Sequence, residues 1–216
     1  ISPILQHLIM SSLDQGVFPD KLKCAKVIPL HKGGSKTELS NYRPISLTSS
    51  FSRLMESILQ TKMLAYLTGH GLLSEHQYGF LPNRSSCSQL LSCTHDWLWT
   101  YVNNKSVDVI YLDIAKAFDT VSHVKLINIV SSYGICDNII KWLQMFLHGR
   151  TQQVCLEESF SDPLRVLSGI PQGGVIAPLL FKLFIKSLPS VIKSSLEHVH
   201  VKLFADDAKL YSEDRT

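Results

Sequence analysis

The chain has 216 residues, of which 45% are hydrophobic and 18% charged, so it can bury a sizeable core and is not an intrinsically disordered protein. This length suits one large domain or two small lobes. Residues 1–53 hold seven Lys/Arg against three Asp/Glu, whereas the remainder is slightly acidic. The front of the chain therefore provides either a basic surface for a polyphosphate or nucleic-acid backbone, or a solvated basic loop.

Three further features bear on where the protein works. The longest uncharged apolar window, residues 166–181, contains Pro171 and Pro178 and predicts no membrane span. The sequence begins Ile-Ser-Pro without a basic or apolar leader, which indicates the edge of a fragment with no targeting signal. Five scattered cysteines without a C-x-x-C pair indicate reduced thiols, so we expect the nucleus and cytoplasm.

Hydrophobic periodicity and Gly/Pro punctuation predict alternating helices and strands. The predicted helices cover residues 3–16, 51–67, 86–102, 124–132, 138–147 and 175–188. The predicted strands cover residues 23–30, 42–47, 107–113, 151–156, 164–167, 199–204 and 208–211. A hairpin of the first two strands holds Lys32 and Arg43 at one rim. These elements predict an α+β fold with a mainly antiparallel sheet backed by helices.

Three carboxylates stand at strand ends in apolar surroundings. Asp113 ends one predicted strand, and Asp206 and Asp207 form the tight turn between the last two. Each alone is explained as a turn former, but such a carboxylate is costly to desolvate unless a cation compensates it. Carboxylates placed together repel one another, and two divalent cations about 3.5–4 Å apart relieve this while activating an attacking and a leaving oxygen. Hard oxygen ligands favour Mg²⁺ over zinc.

Five segments, in order along the chain, resemble motifs of reverse transcriptases, in particular those of non-LTR (LINE-type) retrotransposons. They are residues 41–47 (NYRPISL), 77–80 (QYGF), 111–121 (YLDIAKAFDTV), 169–181 (GIPQGGVIAPLLF) and 204–207 (FADD). The resemblance covers nearly the whole chain. It implies a right-hand polymerase fold without its thumb, with fingers in residues 1–105 and an incomplete palm in residues 106–216.

The resemblance also implies a catalytic set. Asp113 and Asp206 match the metal-binding aspartates of the family, and Asp207 matches the adjacent acidic partner. Ile114 contributes only its backbone carbonyl to the metal site. Asp119, in the same motif, is interpreted as a structural cap or ion-pair member. We therefore expect acidic side chains that are far apart in sequence to meet around a shared pair of ions.

Residues for the incoming nucleotide are implied by the same matches. Arg43 matches the arginine that clamps the triphosphate, and Lys32 adds a point charge. Gln172 and Gly173 lie where the family seats the bound nucleotide. Phe118 matches the ring beneath the sugar that leaves no room for a 2′-hydroxyl, so we expect a preference for deoxynucleotides.

The activity implied by the resemblance is that of an RNA-directed DNA polymerase. Its partners are an RNA template, a DNA primer and dNTPs, and no membrane is involved. Its cofactors are two Mg²⁺ ions, for which Mn²⁺ can substitute. The thumb, the final palm segment and the endonuclease of such polyproteins are expected to lie outside this chain.

Two alternatives remain. The first is a catalytically dead retrotransposon-derived fragment or nucleic-acid-binding remnant, which the missing thumb motivates. The second is an RNA-dependent RNA polymerase, which shares an Asp-Asp turn, although Phe118 argues against it.

Overall fold

The computed structural model describes residues 2–196 and 198–213, and these divide into two compact units. Unit 1 comprises residues 2–66 and 118–180, and unit 2 comprises residues 67–117 and 181–213 within that range. The predicted division into fingers and palm at residue 105 is a different partition and stays a prediction. Its outer limits, residues 1 and 216, lie outside the described residues.

Seven α-helices, two short 3-10 helices (Asp20–Leu22 and Leu39–Asn41) and eight strands lie in the described residues, and most of the predicted elements lie within two residues of their predicted limits. The helices are α1 (Pro3–Gln15), α2 (Ser50–Gly69), α3 (Ser86–Val102), α4 (His123–Ser131), α5 (Asp137–Leu147), α6 (Ala177–Ile185) and α7 (Leu188–Ser195). The strands are β1 (Cys24–His31), β2 (Tyr42–Leu47), β3 (Val107–Leu112), β4 (Thr151–Leu156), β5 (Ser159–Phe160), β6 (Leu164–Arg165), β7 (His200–Phe204) and β8 (Asp207–Glu213). The predicted α+β class is confirmed.

Helix limits follow from local chemistry. Ser85 caps α3, because its side chain accepts a hydrogen bond from the Ser88 N–H (3.1 Å) while the Ser88 hydroxyl accepts one from the Ser85 N–H (2.8 Å). At the C-terminal end of α1, Gly16 adopts φ +67° and its N–H donates a hydrogen bond to the Leu13 carbonyl. These caps explain why polar and glycine punctuation predicted the limits well.

Unit 1 contains a sheet with the strand order β2-β1-β4-β5, with β6 also paired to β4. β1 and β2 form the predicted antiparallel hairpin. β1 also pairs with β4, and this pair is parallel, which the sequence did not predict. Elsewhere in this unit, Phe18 is buried and meets the rings of Trp142 and Phe146 edge-on, with centroids 5.0 and 5.2 Å away. Each such buried side chain contributes roughly 1.5–3 kcal/mol through removal from water.

Unit 2 contains a three-stranded antiparallel sheet with the order β3-β8-β7. Val201 and Leu203 of β7, with Ala208 and Tyr211 of β8, are buried. The Tyr211 hydroxyl donates a hydrogen bond to Asp96 on α3, which ties the helix to the sheet. The alternation of buried residues along β7 shows that one face of this sheet is covered.

One predicted helix is divided in two. The single helix expected over residues 175–188 is wrong, because α6 ends at Ile185 and α7 begins at Leu188. Pro189 lies in the first turn of α7, where its missing N–H is tolerated, and it cannot sit in the interior of a continuous helix. The expected strand over residues 164–167 is also shorter, since only Leu164–Arg165 pairs with β4. Within the described residues, no helix has both the length and the apolar character needed to cross a membrane.

Candidate active site

One end of the unit 2 sheet gathers three acidic residues. β3 and β8 run antiparallel, and Leu112 is paired with Ala208 at the end of that ladder. Asp113 directly follows Leu112 and Asp207 directly precedes Ala208, so the register brings both to the same end. The turn between β7 and β8 adds Asp206. Residues separated by more than ninety positions along the chain therefore become neighbours through strand pairing.

The carboxylates at this acidic end repel one another. Partial removal from water, reinforced by the negative charges of Asp206 and Asp113, raises the pKa of the Asp207 carboxyl above its ordinary value. Lys209 opposes that shift only in part. Among the described residues, no three His, Cys, Asp or Glu side chains are grouped closely enough to form a ready-made metal site. The donor set nevertheless fits a hard divalent cation, because oxygen ligands that repel one another are neutralised together by such an ion.

Ile114, the predicted carbonyl ligand, lies in the turn that follows Asp113. Its carbonyl accepts a hydrogen bond from the Ala117 N–H at 3.2 Å. A carbonyl oxygen has two lone pairs, so this bond leaves one acceptor position on the oxygen. The side chain itself is 36% exposed, and any contribution to an ion comes from the backbone alone.

The two predicted phosphate-binding cations lie at one end of the β1–β2 hairpin in unit 1. Arg43 on β2 is paired with Leu30, and Lys32 follows the last residue of β1. Both side chains are exposed, and the Lys32 ammonium donates to the Ser40 carbonyl (3.2 Å). The hairpin therefore presents two positive charges on the same rim, as the sequence predicted.

The Gln172 side chain is oriented by a residue whose role the sequence did not reveal. Its Nε2 donates a hydrogen bond to Oδ1 of Asp119 (2.7 Å), and both side chains are half-buried. A charge-assisted bond of this length fixes the direction of the amide, so the Gln172 Oε1 points away from Asp119. The sequence predicts a cap or ion-pair role for Asp119, and in the structure its carboxylate accepts the Gln172 hydrogen bond. Its only sequence signal was its place in the same motif as Asp113.

The backbone conformation at position 173 and its close approach to β2 explain why a glycine stands there. Gly173 has φ +101°, and a Cβ there would lie 3.0 Å from the Ser46 carbonyl oxygen. The Ser46 N–H also donates to the Gln172 carbonyl (2.7 Å). The loop that carries Gln172 and Gly173 is therefore docked on β2, the strand that carries Arg43.

A buried carboxylate holds the other side of that loop. Glu56 on α2 is fully buried, its Oε1 accepts from the Ser52 hydroxyl (2.9 Å), and its Oε2 accepts from the Ile176 N–H (3.3 Å). Burial lowers the pKa of Arg150, and the negative charge of Glu56 opposes that shift. The sequence signal for Glu56 was an acidic residue on the apolar side of a helix, next to the buried Met55.

Phe118, the predicted sugar-selecting residue, is half-buried in unit 1. Its carbonyl accepts a hydrogen bond from the Ile170 N–H (2.8 Å), and the following Asp119 carbonyl accepts one from the Ser168 hydroxyl (3.0 Å). The turn at residues 118–119 is thus fastened to the segment that leads into Gln172. A cleft of about 380 Å³ in unit 1 is lined by Ser46, Asp119 and Gln172, among others.

Comparison with known proteins places the chain in a family. Residues 30–216 match the family described as reverse transcriptase (RNA-dependent DNA polymerase). The chain belongs to this family. All five motif segments lie inside the matched range, so the resemblance read from the sequence is confirmed. Reverse transcriptases use divalent metal ions, and the acidic end of unit 2 offers the oxygen donors that such ions require.

Two curated relatives from Drosophila melanogaster are polymerases of non-LTR retrotransposons. The reverse transcriptase chain is 32% identical to the probable RNA-directed DNA polymerase from transposon BS, over 80% of this chain and 19% of that protein. It is 28% identical to the RNA-directed DNA polymerase from mobile element jockey, over 98% of this chain and 24% of that protein. The predicted subgroup is confirmed, and the chain spans about a fifth to a quarter of these relatives' lengths.

Two solved structures with a similar fold are telomerases. The telomerase of Candida albicans, in complex with a fragment of telomeric RNA, has a TM-score of 0.67 at 12% identity, over 91% of this chain and 40% of that chain. Apo telomerase of Candida tropicalis, truncated from its C-terminal domain, has a TM-score of 0.61 at 13% identity, over 95% of this chain and 49% of that one. At this identity the likeness is one of fold, and it confirms the predicted polymerase fold class.

Proposed function

We propose that this reverse transcriptase chain carries the fingers and palm of an RNA-directed DNA polymerase from a non-LTR retrotransposon. The observation that carries the proposal is the convergence of Asp113, Asp206 and Asp207 at one end of the unit 2 sheet. The raised pKa of Asp207, to which the charges of Asp206 and Asp113 contribute, supports the proposal because perturbed pKa values cluster at functional sites.

The proposed metal ligands are Asp113 and Asp206, with Asp207 beside them and the Ile114 carbonyl as a backbone donor. When bound, two Mg²⁺ ions supply Lewis-acid stabilisation of the attacking and leaving oxygens. The chain's own contribution is to hold the carboxylates at the sheet end through strand pairing, so that little reorganisation is needed when the reaction occurs.

The proposed reaction is nucleotidyl transfer. The primer 3′-oxygen forms a bond to the α-phosphorus of a dNTP, the bond from that phosphorus to the oxygen bridging to the β-phosphate breaks, and pyrophosphate leaves. The hydroxyl proton passes to solvent. Arg43 and Lys32 bind the triphosphate, Arg43 through its planar two-pronged donor geometry and Lys32 as a point charge.

The remaining proposed roles concern the nucleoside. Gln172 and Gly173 seat the nucleotide, with the Gln172 amide held by Asp119. Phe118 excludes the 2′-hydroxyl. An RNA template, a DNA primer and dNTPs are the proposed partners, and the RNA bound to the fold relative from Candida albicans supports the first of them. Unpaired cysteines at five positions support work in the reducing nucleus and cytoplasm.

The test is extension of a labelled DNA primer on an RNA template, with Mg²⁺-dependent dNTP binding measured in parallel by titration calorimetry. Asp206→Asn should lower extension by about a thousandfold or more, because losing a metal ligand removes several kcal/mol of charge stabilisation. The matched control is Asp108→Asn, which changes an exposed aspartate on β3 away from the acidic end and should retain wild-type values.

The outcomes separate the alternatives. Extension or dNTP binding that survives Asp206→Asn overturns the proposed metal site. A folded chain that binds nucleic acid but neither extends the primer nor binds dNTPs is the non-catalytic remnant. Phe118→Val should raise use of ribonucleotides by about tenfold or more relative to deoxynucleotides, since a steric barrier is removed. No change in that ratio would overturn the proposed role of Phe118 in selecting the sugar.

A further inference from the structure

One of the five motif segments, which lies in unit 2, has no part in the roles above. Residues 76–80, here named the bracing loop, contain the Gln-Tyr-Gly-Phe segment. The loop lies alongside β7, since the Leu203 N–H donates to the His76 carbonyl (2.7 Å) and the Tyr78 N–H donates to the Leu203 carbonyl (2.8 Å). These bonds place the bracing loop next to the strand that leads into the Asp206–Asp207 turn.

The Gln77 side chain reaches from this loop to the turn itself. It is 2% exposed. Its Oε1 accepts hydrogen bonds from the N–H groups of Ala205 (2.9 Å) and Gly79 (2.8 Å), and its Nε2 donates to the Ala205 carbonyl (3.3 Å). One amide thus binds both backbone polar groups of Ala205. The Ala205 carbonyl belongs to the peptide that joins it to Asp206, so the direction of that peptide is fixed.

Ala205 needs such support because its backbone is strained. Its φ is +54°, in the left-handed region where a residue with a Cβ costs roughly 1–2 kcal/mol. Two-residue hairpin turns usually place glycine at such a position. A strained conformation persists only where surrounding contacts determine it, and Gln77 supplies two of those contacts here.

The bracing loop is itself held on several sides. The Arg84 guanidinium donates to the Gln77 carbonyl (2.8 Å) and lies over the Tyr78 ring, 5.1 Å from its centroid. The Lys182 ammonium donates to the Phe80 carbonyl. At Gly79, a Cβ would lie 2.5 Å from the Ala205 nitrogen, so the absence of a side chain lets loop and turn touch. Gln77 therefore acts from a fixed support.

We infer that Gln77 is a positioning residue that sets the geometry of the Asp206–Asp207 turn for divalent-cation binding. This inference rests on the proposed function of those aspartates. Gln77 touches neither the ion nor a substrate, and it acts through the backbone of Ala205. Groups that orient metal ligands in this way commonly change metal affinity by 10–100-fold when they are replaced.

The experiment compares Gln77→Met with wild type in the 216-residue chain. Methionine keeps the length and apolar volume of glutamine but offers no comparable donor or acceptor. Gln89→Met is the matched control, since Gln89 is a buried glutamine of α3 in the same unit. The two readouts are Mn²⁺ affinity by titration calorimetry and hydrogen exchange of single amides by NMR.

We expect Gln77→Met to weaken Mn²⁺ binding about tenfold and to speed exchange of the Ala205 amide about tenfold. The Leu203 amide, which is bonded to the His76 carbonyl, should keep its wild-type exchange rate. Gln89→Met should change neither quantity. If Gln77→Met matches Gln89→Met in both readouts, while Asp206→Asn still abolishes Mn²⁺ binding, the inference is overturned and the proposed function stands.

Two further outcomes are decisive. If Asp206→Asn leaves Mn²⁺ affinity unchanged, the proposed function is overturned, and this inference falls with it. If Gln77→Met does not fold, Gln77→Glu replaces it, because glutamate keeps the volume and one acceptor oxygen. An added negative charge alone raises cation affinity, so a fall in Mn²⁺ affinity reports changed geometry, and an affinity equal to or above wild type overturns the inference.

Discussion

The two units hold their proposed site residues in opposite ways. In unit 2, the acidic turn is fixed by strand pairing and by the buried Gln77, although its charges repel one another. In unit 1, Arg43 and Lys32 stand exposed on a hairpin rim. In the proposed function, the residues that would share an ion are fixed in place by the fold, whereas the residues that would bind the triphosphate are solvated in the chain without ligand.

This contrast has an exception inside unit 1, where the loop of Gln172 and Gly173 is supported from both sides. Asp119 holds the Gln172 amide, and Glu56 holds the Ile176 N–H further along. The exposed Arg43 therefore lies on the strand against which a loop with hydrogen bonds on both sides is docked. Changing one residue of each kind tests how far the contrast extends.

The largest expected effect comes from Glu56, the buried carboxylate of unit 1 that accepts a hydrogen bond from the Ile176 N–H. Glu56→Gln replaces one of the two acceptor oxygens with an NH₂ group, so one of the buried donors, the Ser52 hydroxyl or the Ile176 N–H, loses its acceptor. A buried polar group without a partner costs about 1–3 kcal/mol, and we expect a loss near 2 kcal/mol. Urea unfolding measures it as a lower midpoint, with Glu158→Gln, an exposed glutamate of unit 1, as the control. Equal urea midpoints for the two variants would show that Glu56 does not stabilise unit 1.

An intermediate effect is expected on the exposed rim. Arg43→Lys keeps the charge but loses the two-pronged geometry, so we expect dNTP affinity to fall about tenfold, or about 1.4 kcal/mol, with no change in unfolding midpoint. Titration calorimetry with a dNTP and Mg²⁺ measures it. The control is Arg53→Lys, at an exposed arginine of α2. A large loss of stability in Arg43→Lys would show that Arg43, like Glu56, stabilises the folded chain.

The smallest expected effect concerns the acidic turn without metal. Because the pKa of Asp207 is raised in the folded chain, its contribution to stability is full below the ordinary Asp pKa and is lost as pH rises through the raised value. Asp207→Asn should therefore raise the free energy of unfolding in EDTA at pH 7, by about 0.5 kcal/mol or less because the residue is exposed.

That gain should disappear in acid, where the wild-type carboxyl is protonated, and urea midpoints at several pH values measure it. Asp108→Asn, on the same sheet, should show no such gain. A destabilised Asp207→Asn at pH 7 would mean that the carboxylate forms a favourable contact in the metal-free chain.

Local features of the fold were predictable from the sequence, and distant pairings were not. The limits of α3 follow from its Ser85 cap, and the β1–β2 hairpin follows from apolar runs around a Gly-Gly turn. The parallel pairing of β1 with β4 joins segments more than a hundred residues apart. No periodicity encodes such a partner, because the choice depends on how the helices pack.

In the candidate site, too, some residues could be predicted from the sequence and others only from contacts in the folded chain. Asp113, Asp206 and Asp207 could be named from their motifs, because the chemistry of metal binding requires those residue types. Gln77 and Asp119 stood in recognised motifs too, but their contacts lie 128 and 53 positions away and appear only in the folded chain. A supporting residue is defined by what it touches, and the sequence does not record that.

The close approach at Gly79 affects how genomic copies of this sequence should be judged. Any side chain at that position would collide with the Ala205 nitrogen and displace the turn that carries two of the three aspartates. A copy that keeps all three aspartates but has lost this glycine is therefore expected to carry two of them on a displaced turn. In a survey of such copies, position 79 should be scored together with the acidic residues.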